Sequence, residues 1–581
     1  MLIVGLNAYH GDVSAVLLRD GELVAAIEEE RFRRVKHCAG VPRHAMAMCL
    51  KMGNVRPADI DIFAVPRAPR AHLWRKAWFA LTHPWAARLF SRHEDSARRL
   101  QSLPDVIGHA IGLPPADVED RMHYVEHHPA HLASTFYASG FEQAAVCAID
   151  GFGDFVSTSW GYGSGHALHV TNRVFFPHSL GLLYLAITQY LGFPHYGDEF
   201  KVMGLAPYGQ PRYVDKLARL LTVNADGTFA LSLDYFRHWT GTVSMSWIDG
   251  EPRVGPVWAP ALESLLGPAR APGDSLGTRH EDIAASLQAI FEQSVFQVLR
   301  RVHAQHPHDA ICLAGGCAMN SVANGKVRYA TPFKHVYIQP AAGDNGTALG
   351  AALHAWHHEY QQPRKFRMEH GHWGTEYGAD EIARALDRSA DLAEKGCRRT
   401  VLAGDALFSA TAERLAQGRV VGWFQGRMEW GARALGNRSI LADPRRADMR
   451  AVINQKIKFR EKFRPFAPSV LEEALDDFFV DAVADPFMAQ VYPVRADKQQ
   501  VIPAVTHVDG SGRLQSVNGR THPTYWKLIR AFADLTGVPV LLNTSFNENE
   551  PIVERPEQAL DCFLRTDMDV LVMGPHMIEK T

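Results

Sequence analysis

The sequence lacks the hallmarks of several large protein classes. Its seven cysteines among 581 residues are odd in number, scattered and never spaced as Cys-x-x-Cys, so neither a disulfide scaffold nor a thiolate zinc site is expected. The 61 basic and 63 acidic residues leave a net charge of −2, which argues against a general nucleic-acid surface. With 46 % hydrophobic residues, we expect a globular, multidomain protein of a reducing cytoplasm, monomeric or homodimeric.

Export and membrane signals are also missing. The start MLIVGLNAYHGDVSAVLL has no basic segment before its apolar residues, unlike a signal peptide. The stretch His72–Phe90 is interrupted by charges and by Pro84, so it has no run of about 18 uncharged residues. It is either a basic helix lying on a membrane surface or two helices that pack three tryptophans inward (Trp74, Trp78 and Trp85). We favour the packed helices and expect no membrane partner.

Motifs of covalent catalysis are absent as well. The chain contains no GxSxG, no GxxxxGK[ST] and no HExxH. This absence favours catalysis by positioning and charge stabilisation over a covalent enzyme intermediate.

Apolar runs that end at polar glycine turns occur twice in a similar order. Leu2–Leu6, Val13–Leu18 and Leu23–Ile27 predict a strand meander with a hairpin turn at Asp20-Gly21. A second series follows later in the chain (Ala144–Ile149, Thr158–Gly161, Leu168–Val174, Ala310–Leu313 and His335–Ile338). Two such halves facing a cleft describe an α/β fold of the actin-like ATPase or sugar-kinase type.

A polar segment between Tyr360 and Tyr377 predicts a domain boundary, with domains at residues 1–365 and 375–581. After this segment come helical patterns, strands and Gly/Arg turns (Asp380–Leu392, Ala406–Ala416, Val420–Phe424 and Val538–Leu542). We therefore expect a second, smaller α/β domain.

Histidines and aspartates supply the strongest metal signal. On a helix, His127 and His131 lie one turn apart on one face, and Asp150 and Asp344 each follow an apolar run. Two imidazoles and two carboxylates suit Fe²⁺, Mn²⁺ or Zn²⁺ with open positions. His128 points elsewhere on the helix and is not expected to be a ligand. The alternative is that these histidines only pack or lie on the surface.

Glycine-rich turns after two strands form a second signal. Gly315-Gly316 and Gly343-Asp344-Asn345-Gly346 allow backbone N–H groups to approach an anion closely. Lys36, Lys201 and Asn320 are candidates to complete a nucleotide site. The alternative is that these glycines are ordinary turns and that the lysines are solvated.

A basic series in the second domain forms the third signal (Arg427, Arg433, Arg438, Lys458, Arg460, Lys462, Arg464, Arg513 and Arg520), with Asn543-Thr544-Ser545 after a strand. It suits RNA, a small polyanion or a solvated helix face. The arginines alternate with apolar residues and few aromatics are placed to stack on bases, so we favour a small polyanion.

Long segments of the chain, in order, resemble the O-carbamoyltransferases of antibiotic and nodulation-factor biosynthesis. The resemblance covers nearly the whole chain and rests on several segments (GLNAYHGDVSAVLLRDGELVAAIEEERFRRVKH, EHHPAHLASTFYASGF, GDEFKVMGLAPYG, LAGGCAMNSVANG, AAGDNGTALGAA, EWGARALGNRSILADPR, KFREKFRPFAPSV and LLNTSFNENEPIV). It implies an actin-like domain, similar to threonylcarbamoyl-transfer proteins, joined to a YrdC-like domain.

The resemblance also implies an activity. The second domain is expected to convert carbamoyl phosphate and ATP, with Mg²⁺, to carbamoyl-adenylate, and the first to transfer the carbamoyl group to a hydroxyl of a small molecule. A bound Fe²⁺, or another divalent ion, is expected to polarise the carbamoyl-adenylate as a Lewis acid.

Site residues carry over from the resemblance by position. The implied metal ligands are His127, His131, Asp150 and Asp344, and the implied nucleotide contacts of the transfer domain are Lys36, Lys201, Gly316 and Asn320. The implied carbamoyl-phosphate and ATP pocket is Arg433, Arg438, Lys458, Arg464, Arg513, Asn543 and Ser545. We expect Lys458 to meet charge on the leaving oxygen and His10 to act as general base.

Two other functions remain as alternatives: threonylcarbamoylation of tRNA, and a non-catalytic regulator that binds nucleotide and metal. The balanced charge argues against the tRNA reaction, and we expect no nucleic-acid partner. The basic series argues against a non-catalytic regulator, which would not need it. The acceptor is not identified by the sequence. The stretches His72–Leu103 and Asp234–Trp258 either contact it or only pack the domains.

Overall fold

The computed structural model describes residues 1–83 and 99–580. They form two compact units, Met1–Met368 and Glu369–Thr581. Both units are mixed α/β.

A five-stranded sheet begins the first unit. Its strands are β1 (Leu2–Asn7), β2 (Ser14–Arg19), β3 (Glu22–Glu28), β4 (Ile62–Val65) and β5 (Met122–Tyr124). The order is β3-β2-β1-β4-β5, in which the first three strands are antiparallel and the last two run parallel to β1. Asp20 and Gly21 both have positive φ, which is the geometry of the predicted hairpin turn.

A second five-stranded sheet repeats this arrangement. It starts with β6 (Gln143–Gly153), β7 (Val156–Ser164) and β8 (Ala167–Phe175), followed by two short hairpins, β9 (Leu221–Val223) with β10 (Phe229–Leu231) and β11 (Met245–Ile248) with β12 (Glu251–Val254). With β13 (Ala310–Ala314) and β14 (His335–Tyr337), the order is β8-β7-β6-β13-β14, again three antiparallel strands and then two parallel ones. The duplicated topology confirms the predicted actin-like fold.

The helices of the first unit lie between and around these strands (Glu30–Arg33, Arg43–Gly53, Leu73–Thr82, Leu103–Ile111, Pro115–Glu119, His127–Ser139, Leu180–Tyr190, Glu199–Leu205, Val214–Leu217, Ala261–Leu266, Thr278–Gln305, Ser321–Ala330 and Thr347–His354). Every residue of helix His127–Ser139 is buried. It packs closely on helix Thr347–His354, because a Cβ at Gly350 would lie 1.7 Å from the Ala130 carbonyl oxygen. Glycine therefore allows these two backbones to meet.

Helix Leu73–Thr82 forms as predicted, but two of its tryptophans do not point inward. The side chains of Trp74 and Trp78 are 66 % and 65 % exposed, whereas Phe79 is buried against Phe155 and Phe176. Residues four apart share a helix face, and the next residue points well away from it. The inward prediction was therefore wrong for Trp74 and Trp78, and Trp85 lies outside the described residues.

The second unit is built on one eight-stranded sheet. The strands of this unit are β15 (Cys397–Val401), β16 (Val421–Phe424), β17 (Arg438–Ala442), β18 (Ala467–Leu471), β19 (Val491–Pro493), β20 (Ser511–Arg513), β21 (Gln515–Val517), β22 (Val540–Ser545), β23 (Val570–Met573) and β24 (His576–Lys580). Of these, β19 and β20 pair only with each other, and the other eight form the large sheet. The order is β15-β24-β23-β16-β17-β22-β18-β21. Its helices are Ala379–Asp387, Asp391–Glu394, Asp405–Ala416, Met449–Ile453, Leu475–Phe478, Pro523–Thr536 and Pro556–Arg565. The resemblance to YrdC stays a prediction.

Candidate functional site

The structure brings the four predicted metal ligands of the first unit together. The Nε2 atoms of His127 and His131 are 3.0 Å apart. From these nitrogens, Asp150 Oδ2 lies at 3.4 and 3.7 Å and Asp344 Oδ1 at 3.5 and 3.3 Å. The residues come from the start of one helix, from β6 and from the turn after β14. The helix thus supplies both histidines, and the second sheet with its following turn supplies both aspartates.

These separations fit a shared metal ion. Donor atoms about 2.1 Å from one ion are roughly 3.0 Å apart at right angles and roughly 3.4 Å apart in a tetrahedron. Two imidazole nitrogens and two carboxylates that converge without a cation would bring lone pairs and negative charge together in a buried space. The donor set is therefore suited to a divalent transition metal.

The pKa values of His127 and Asp344 reflect the negative charge concentrated in this cluster. Burial acts to lower the pKa of His127, but hydrogen bonds to Asp150 and Asp344 outweigh it and raise the pKa to about 10. Burial acts to raise the pKa of Asp344, but His10 and the two ligand histidines hold it well below its usual range. The two shifts have the same cause: the carboxylates are anionic at neutral pH and favour positive charge beside them, whether a proton on His127 or a metal ion.

His128 is not part of this cluster, in agreement with the sequence. Its Nε2 donates to the Val156 carbonyl at 3.0 Å and its Nδ1 accepts from the Ser159 hydroxyl at 3.1 Å. Burial, and next the neighbouring His127 and His131, lower its pKa to about 3. His128 is therefore a neutral residue that ties the helix to β7.

Backbone N–H groups help to hold two of the predicted ligands, Asp150 and His127, in position. The N–H of Gly316 donates to Asp150 Oδ1 at 2.7 Å. Asp154 Oδ2 accepts from the backbone N–H of His127 at 3.0 Å and from that of Ala68 at 2.8 Å. The predicted glycine turn thus orients a ligand carboxylate, and Asp154, which the sequence did not single out, caps the helix that carries the histidines.

Gly153 offers a direct test of this packing. A Cβ at this position would lie 2.0 Å from the His127 ring, whereas a Cβ at Gly151 would meet nothing within 4 Å. We expect Gly153→Ala to displace the ring, weaken divalent-metal binding and destabilise the first unit by about 1–3 kcal/mol. Chelator-competition titration and thermal unfolding measure both effects. Gly151→Ala is the matched control, and equal behaviour of the two variants would contradict the expectation.

The predicted base, His10, lies beside the metal cluster. Its ring stacks on that of His127 at 5.0 Å between centroids, and its Nδ1 is 3.4 Å from Asp344 Oδ2. Burial, and next the positive charge of Arg67, lower its pKa. His10 is therefore a neutral imidazole whose Nδ1 faces a carboxylate.

The predicted nucleotide contacts of the first unit have different surroundings. Asn320 caps helix Ser321–Ala330, accepting from Ala323 N at 3.0 Å, and its amide also exchanges two hydrogen bonds with Gln288. Lys201 Nζ pairs with Asp198 at 2.9 Å, and Lys36 is exposed. Asn320 thus has a structural role, and its ligand role stays a prediction, as do those of both lysines.

The residue after Lys36, His37, forms an ion pair that the sequence did not single out. His37 Nδ1 is 2.8 Å from Asp12 Oδ1. Burial acts to lower the pKa of His37, but Asp12 outweighs it and raises the pKa from 6.5 to about 9. The folded state thus holds its proton more tightly than the unfolded chain does.

This pair predicts a pH dependence of stability. Because the folded pKa is raised, its stabilisation is complete below pH 6.5 and disappears as the pH rises through about 9. We expect the unfolding midpoint of the wild type to fall across this range more than that of His37→Gln. Replacement of the exposed His109 by Gln is the control. Parallel midpoint curves for the wild type and His37→Gln would contradict the assignment.

The second unit brings four arginines of the basic series together. Arg513 lies among Arg433, Arg460 and Arg464, and Asp485 is the acidic group among its main electrostatic neighbours. Burial lowers the pKa of Arg433 to about 10 and that of Arg460 to about 9, and Arg464 adds to the latter shift. We call these four residues the arginine cluster. Such a cluster is stabilised by an anion.

Asp485 does not neutralise the cluster fully. Burial raises its pKa to about 7, even though backbone N–H groups of Phe487, Gln490 and Ala489 hydrogen-bond to it. Two guanidinium nitrogens, Arg460 Nη2 and Arg513 Nε, are buried without a hydrogen-bond partner among the described residues. Phosphate oxygens are the groups that such donors recognise.

The other predicted pocket residues are already hydrogen-bonded within the protein. Lys458 Nζ donates at 2.6 Å to the carbonyls of Ser545 and Asn547 and to Asn547 Oδ1. Asn543 donates to Ser469 and Gln515, but its Oδ1 is buried without a partner among the described residues. A ligand at Lys458 therefore has to replace one of these hydrogen bonds.

Arg438 differs from the other predicted pocket residues. It is fully buried over the Phe424 ring, at 3.7 Å, and donates to the carbonyls of four residues (Thr375, Gln425, Gly426 and Asn437). Its charged neighbours begin with Glu429 and Glu554, not with the arginine cluster. The structure thus gives Arg438 a role in holding loops, because a guanidinium surrounded by carbonyl oxygens has few donors left for a ligand.

In residues 1–83 and 99–580, no helix combines the length and the apolar character that crossing a membrane requires.

Comparisons with known proteins identify the family. The family model described as Carbamoyltransferase N-terminus matches residues 2–353, and that described as Carbamoyltransferase C-terminus matches residues 412–580. Nodulation protein NolNO of Sinorhizobium fredii is 40 % identical over 99 % of this chain and 80 % of that protein. The 3'-hydroxymethylcephem-O-carbamoyltransferase of Amycolatopsis lactamdurans is 36 % identical over 49 % of this chain and 52 % of that protein.

Likeness to solved structures is weaker. The activator of 2-hydroxyisocaproyl-CoA dehydratase from Clostridium difficile with bound ADPNP is 12 % identical, with a TM-score of 0.32, over 62 % of this chain and 97 % of that one, and a score this low supports no conclusion. The two family models and the nearly full-length relative are sufficient: the chain belongs to the carbamoyltransferase family and is an enzyme that transfers carbamoyl groups.

Proposed function

We propose that the chain is an ATP-dependent O-carbamoyltransferase with one reaction in each unit. In the second unit, carbamoyl phosphate is hydrolysed to carbamate and phosphate, and a carbamate oxygen attacks the α-phosphorus of ATP to give carbamoyl-adenylate and pyrophosphate. In the first unit, an acceptor hydroxyl attacks the carbamoyl carbon. The O–C bond forms, the bond to the AMP phosphate oxygen breaks, and the hydroxyl proton passes to a base.

The arginine cluster is the observation that carries this proposal. Four guanidinium groups have only Asp485, with its raised pKa, and Glu461, which pairs with Arg464 at 3.6 Å, as opposing charges among their main electrostatic neighbours in the described residues, and this excess of positive charge favours a polyanion. Carbamoyl phosphate and the triphosphate of ATP supply that charge, and bidentate guanidinium groups hold phosphate oxygens in fixed directions. Lys458 adds a buried ammonium that can follow charge onto a leaving oxygen.

The first unit suits the transfer step. His127, His131, Asp150 and Asp344 would hold a divalent ion, for which we propose Fe²⁺, and such an ion supplies Lewis-acid chemistry. If Nδ1–H of His10 faces Asp344, the Nε2 lone pair is left to accept the proton of the acceptor hydroxyl. The printed name of the Amycolatopsis relative supports a hydroxyl acceptor and a role in antibiotic biosynthesis.

A two-stage assay tests the proposal. Purified protein with Mg²⁺ and ATP should release pyrophosphate only when carbamoyl phosphate is added. A mixture of hydroxylated small molecules should then yield one product heavier by about 43 mass units, the change when a carbamoyl group replaces hydrogen. Absence of pyrophosphate release would disprove the activation step. Pyrophosphate release in which no added alcohol gains a carbamoyl group or leads to release of AMP would disprove O-transfer to the compounds tested.

A further inference from the structure

The loop of residues 425–437 carries Arg433 into the arginine cluster. It leaves the sheet after β16 and returns at β17, and these two strands pair with each other, with Phe424 opposite Arg438. The loop itself contains no helix or strand. Its backbone N–H groups therefore need partners outside regular secondary structure, and those partners determine its conformation.

One buried carboxylate supplies several of these partners. Glu429 is 2 % exposed. Its Oε1 accepts from three backbone N–H groups, those of Leu435 at 2.8 Å, Asn437 at 2.7 Å and Arg438 at 3.0 Å. A single side-chain oxygen in the outgoing half of the loop thus holds the returning half.

These hydrogen bonds leave a short segment between two held points. Residues 430–434 lie between Glu429 and Leu435, and Arg433 is the one charged residue among them. The carbonyl of Leu435 also accepts from Gln515 Nε2 at 2.7 Å. Because both ends of the segment are held, the backbone from which the Arg433 side chain starts has little freedom.

The charge of Glu429 acts on a residue outside the arginine cluster. The carboxylate among the main electrostatic neighbours of Arg433 is Asp485. Glu429 is instead the carboxylate with the largest influence on Arg438, and its Oε2 is buried without a hydrogen-bond partner among the described residues. Glu429 therefore contacts the segment that carries Arg433 through backbone hydrogen bonds, without neutralising its guanidinium.

We propose that Glu429 is a positioning residue for the activation step: by holding the return of the loop, it fixes the direction in which Arg433 meets a phosphate oxygen. The substrate in this inference rests on the proposed function, which assigns the arginine cluster to carbamoyl phosphate and ATP. A guanidinium pairs with two phosphate oxygens only when its plane is correctly placed. A displacement of about 1 Å can cost roughly 100-fold in rate.

Two substitutions separate the reach of this side chain from its charge. Glu429→Gln keeps an oxygen at the same distance from the backbone and removes the charge. Glu429→Asp keeps the charge and is one methylene shorter, so its oxygen does not reach all three N–H groups. We expect Glu429→Asp to lower kcat/KM for carbamoyl-phosphate-dependent pyrophosphate release by about 10–100-fold, and Glu429→Gln to stay near the wild-type value. The opposite order, or wild-type values for both folded variants, would overturn the inference.

Dependence on Arg433 is tested in a second background. The readout is the affinity of the full-length protein for pyrophosphate, measured by calorimetry, which needs no turnover. Glu429→Asp should weaken binding in the wild type but cause little further loss when added to Arg433→Ala, because residues that act as one unit are not additive. A full additional loss in the double variant would show that Glu429 does not act through Arg433.

Hydrogen exchange gives a readout that does not depend on the proposed function. In the protein without ligand, the amides of Leu435 and Asn437 should exchange faster in Glu429→Asp than in the wild type or Glu429→Gln. Unchanged exchange at these amides would overturn the positioning role. Faster exchange with weaker pyrophosphate binding, in an enzyme that releases no pyrophosphate, would support the positioning role and disprove the activation step.

Asp443 provides the matched control. It follows the other end of β17, is 1 % exposed and accepts from the backbone N–H of Arg445 at 2.9 Å. We expect Asp443→Ala to lower the unfolding midpoint and leave kcat/KM for pyrophosphate release unchanged. A loss of kcat/KM as large as that of Glu429→Asp would show that any buried carboxylate of this unit has the same effect, and would overturn the specific role of Glu429.

Discussion

Replacement of His131 by alanine should separate the two reactions. The variant loses one of two imidazole donors whose Nε2 atoms are 3.0 Å apart, so metal affinity should fall by more than the roughly 10–100-fold that loss of an outer partner costs. Transfer of the carbamoyl group to an acceptor should fall with it. Pyrophosphate release should continue at near the wild-type rate, because we propose that activation takes place in the second unit. Metal analysis, acceptor mass and pyrophosphate are the three readouts.

The adjacent His128 provides the control for this experiment. It is as buried as His131 but binds Val156 and Ser159 instead of the cluster. We expect His128→Ala to lower the unfolding midpoint and keep one bound metal per folded chain. If His131→Ala is folded and retains full metal content, the four-residue site is wrong. If it loses metal and pyrophosphate release together, the assignment of the two reactions to separate units is wrong.

Replacement of Arg513 by alanine should abolish activation without destabilising the protein. Loss of one preorganised donor to a phosphate should slow carbamoyl-phosphate-dependent pyrophosphate release by roughly 100-fold or more. Arg513 is repelled by three other arginines, and Asp485 is the main opposing charge. Its removal should therefore leave the unfolding midpoint unchanged or higher in the absence of ligand. A residue with a purely structural role would lower this midpoint instead.

The matched control is Arg520, which is exposed and paired with Glu369. Exposed pairs contribute about 0–1 kcal/mol, so Arg520→Ala should change neither the midpoint nor pyrophosphate release appreciably. Metal content should be unchanged in both variants. A fully active Arg513→Ala enzyme would show that the arginine cluster does not bind the activating substrates. A strongly destabilised one would show that the cluster is compensated by protein groups.

Much of the first unit was predictable because its signals are local. The turn at Asp20-Gly21 follows from the backbone conformations that these residues tolerate. His127 and His131 share a face wherever a helix forms, and Asp150 in β6 and Asp344 in the turn after β14 belong to the same sheet. To predict that the four donors converge, it was therefore enough to predict the helix, the strands and the fold correctly.

The failures concern partners that are distant in sequence. Helical spacing placed Trp74 and Trp78 on one face, but it did not show that Phe79 is on the buried side. Arg438 was predicted as part of the same pocket as Arg433 and Arg513, and that role stays a prediction, but the sequence did not show that its guanidinium donates to backbone carbonyls. Asp485 carried no motif, because its importance arises from arginines contributed by other segments.

The four donors of the candidate metal site are buried to different extents. The histidine side chains are completely enclosed, whereas those of Asp150 and Asp344 are 10 % and 13 % exposed. Among the described residues, solvent therefore contacts this group of donors at its carboxylates, so a cation that arrives from solvent meets negative charge before it meets the imidazoles.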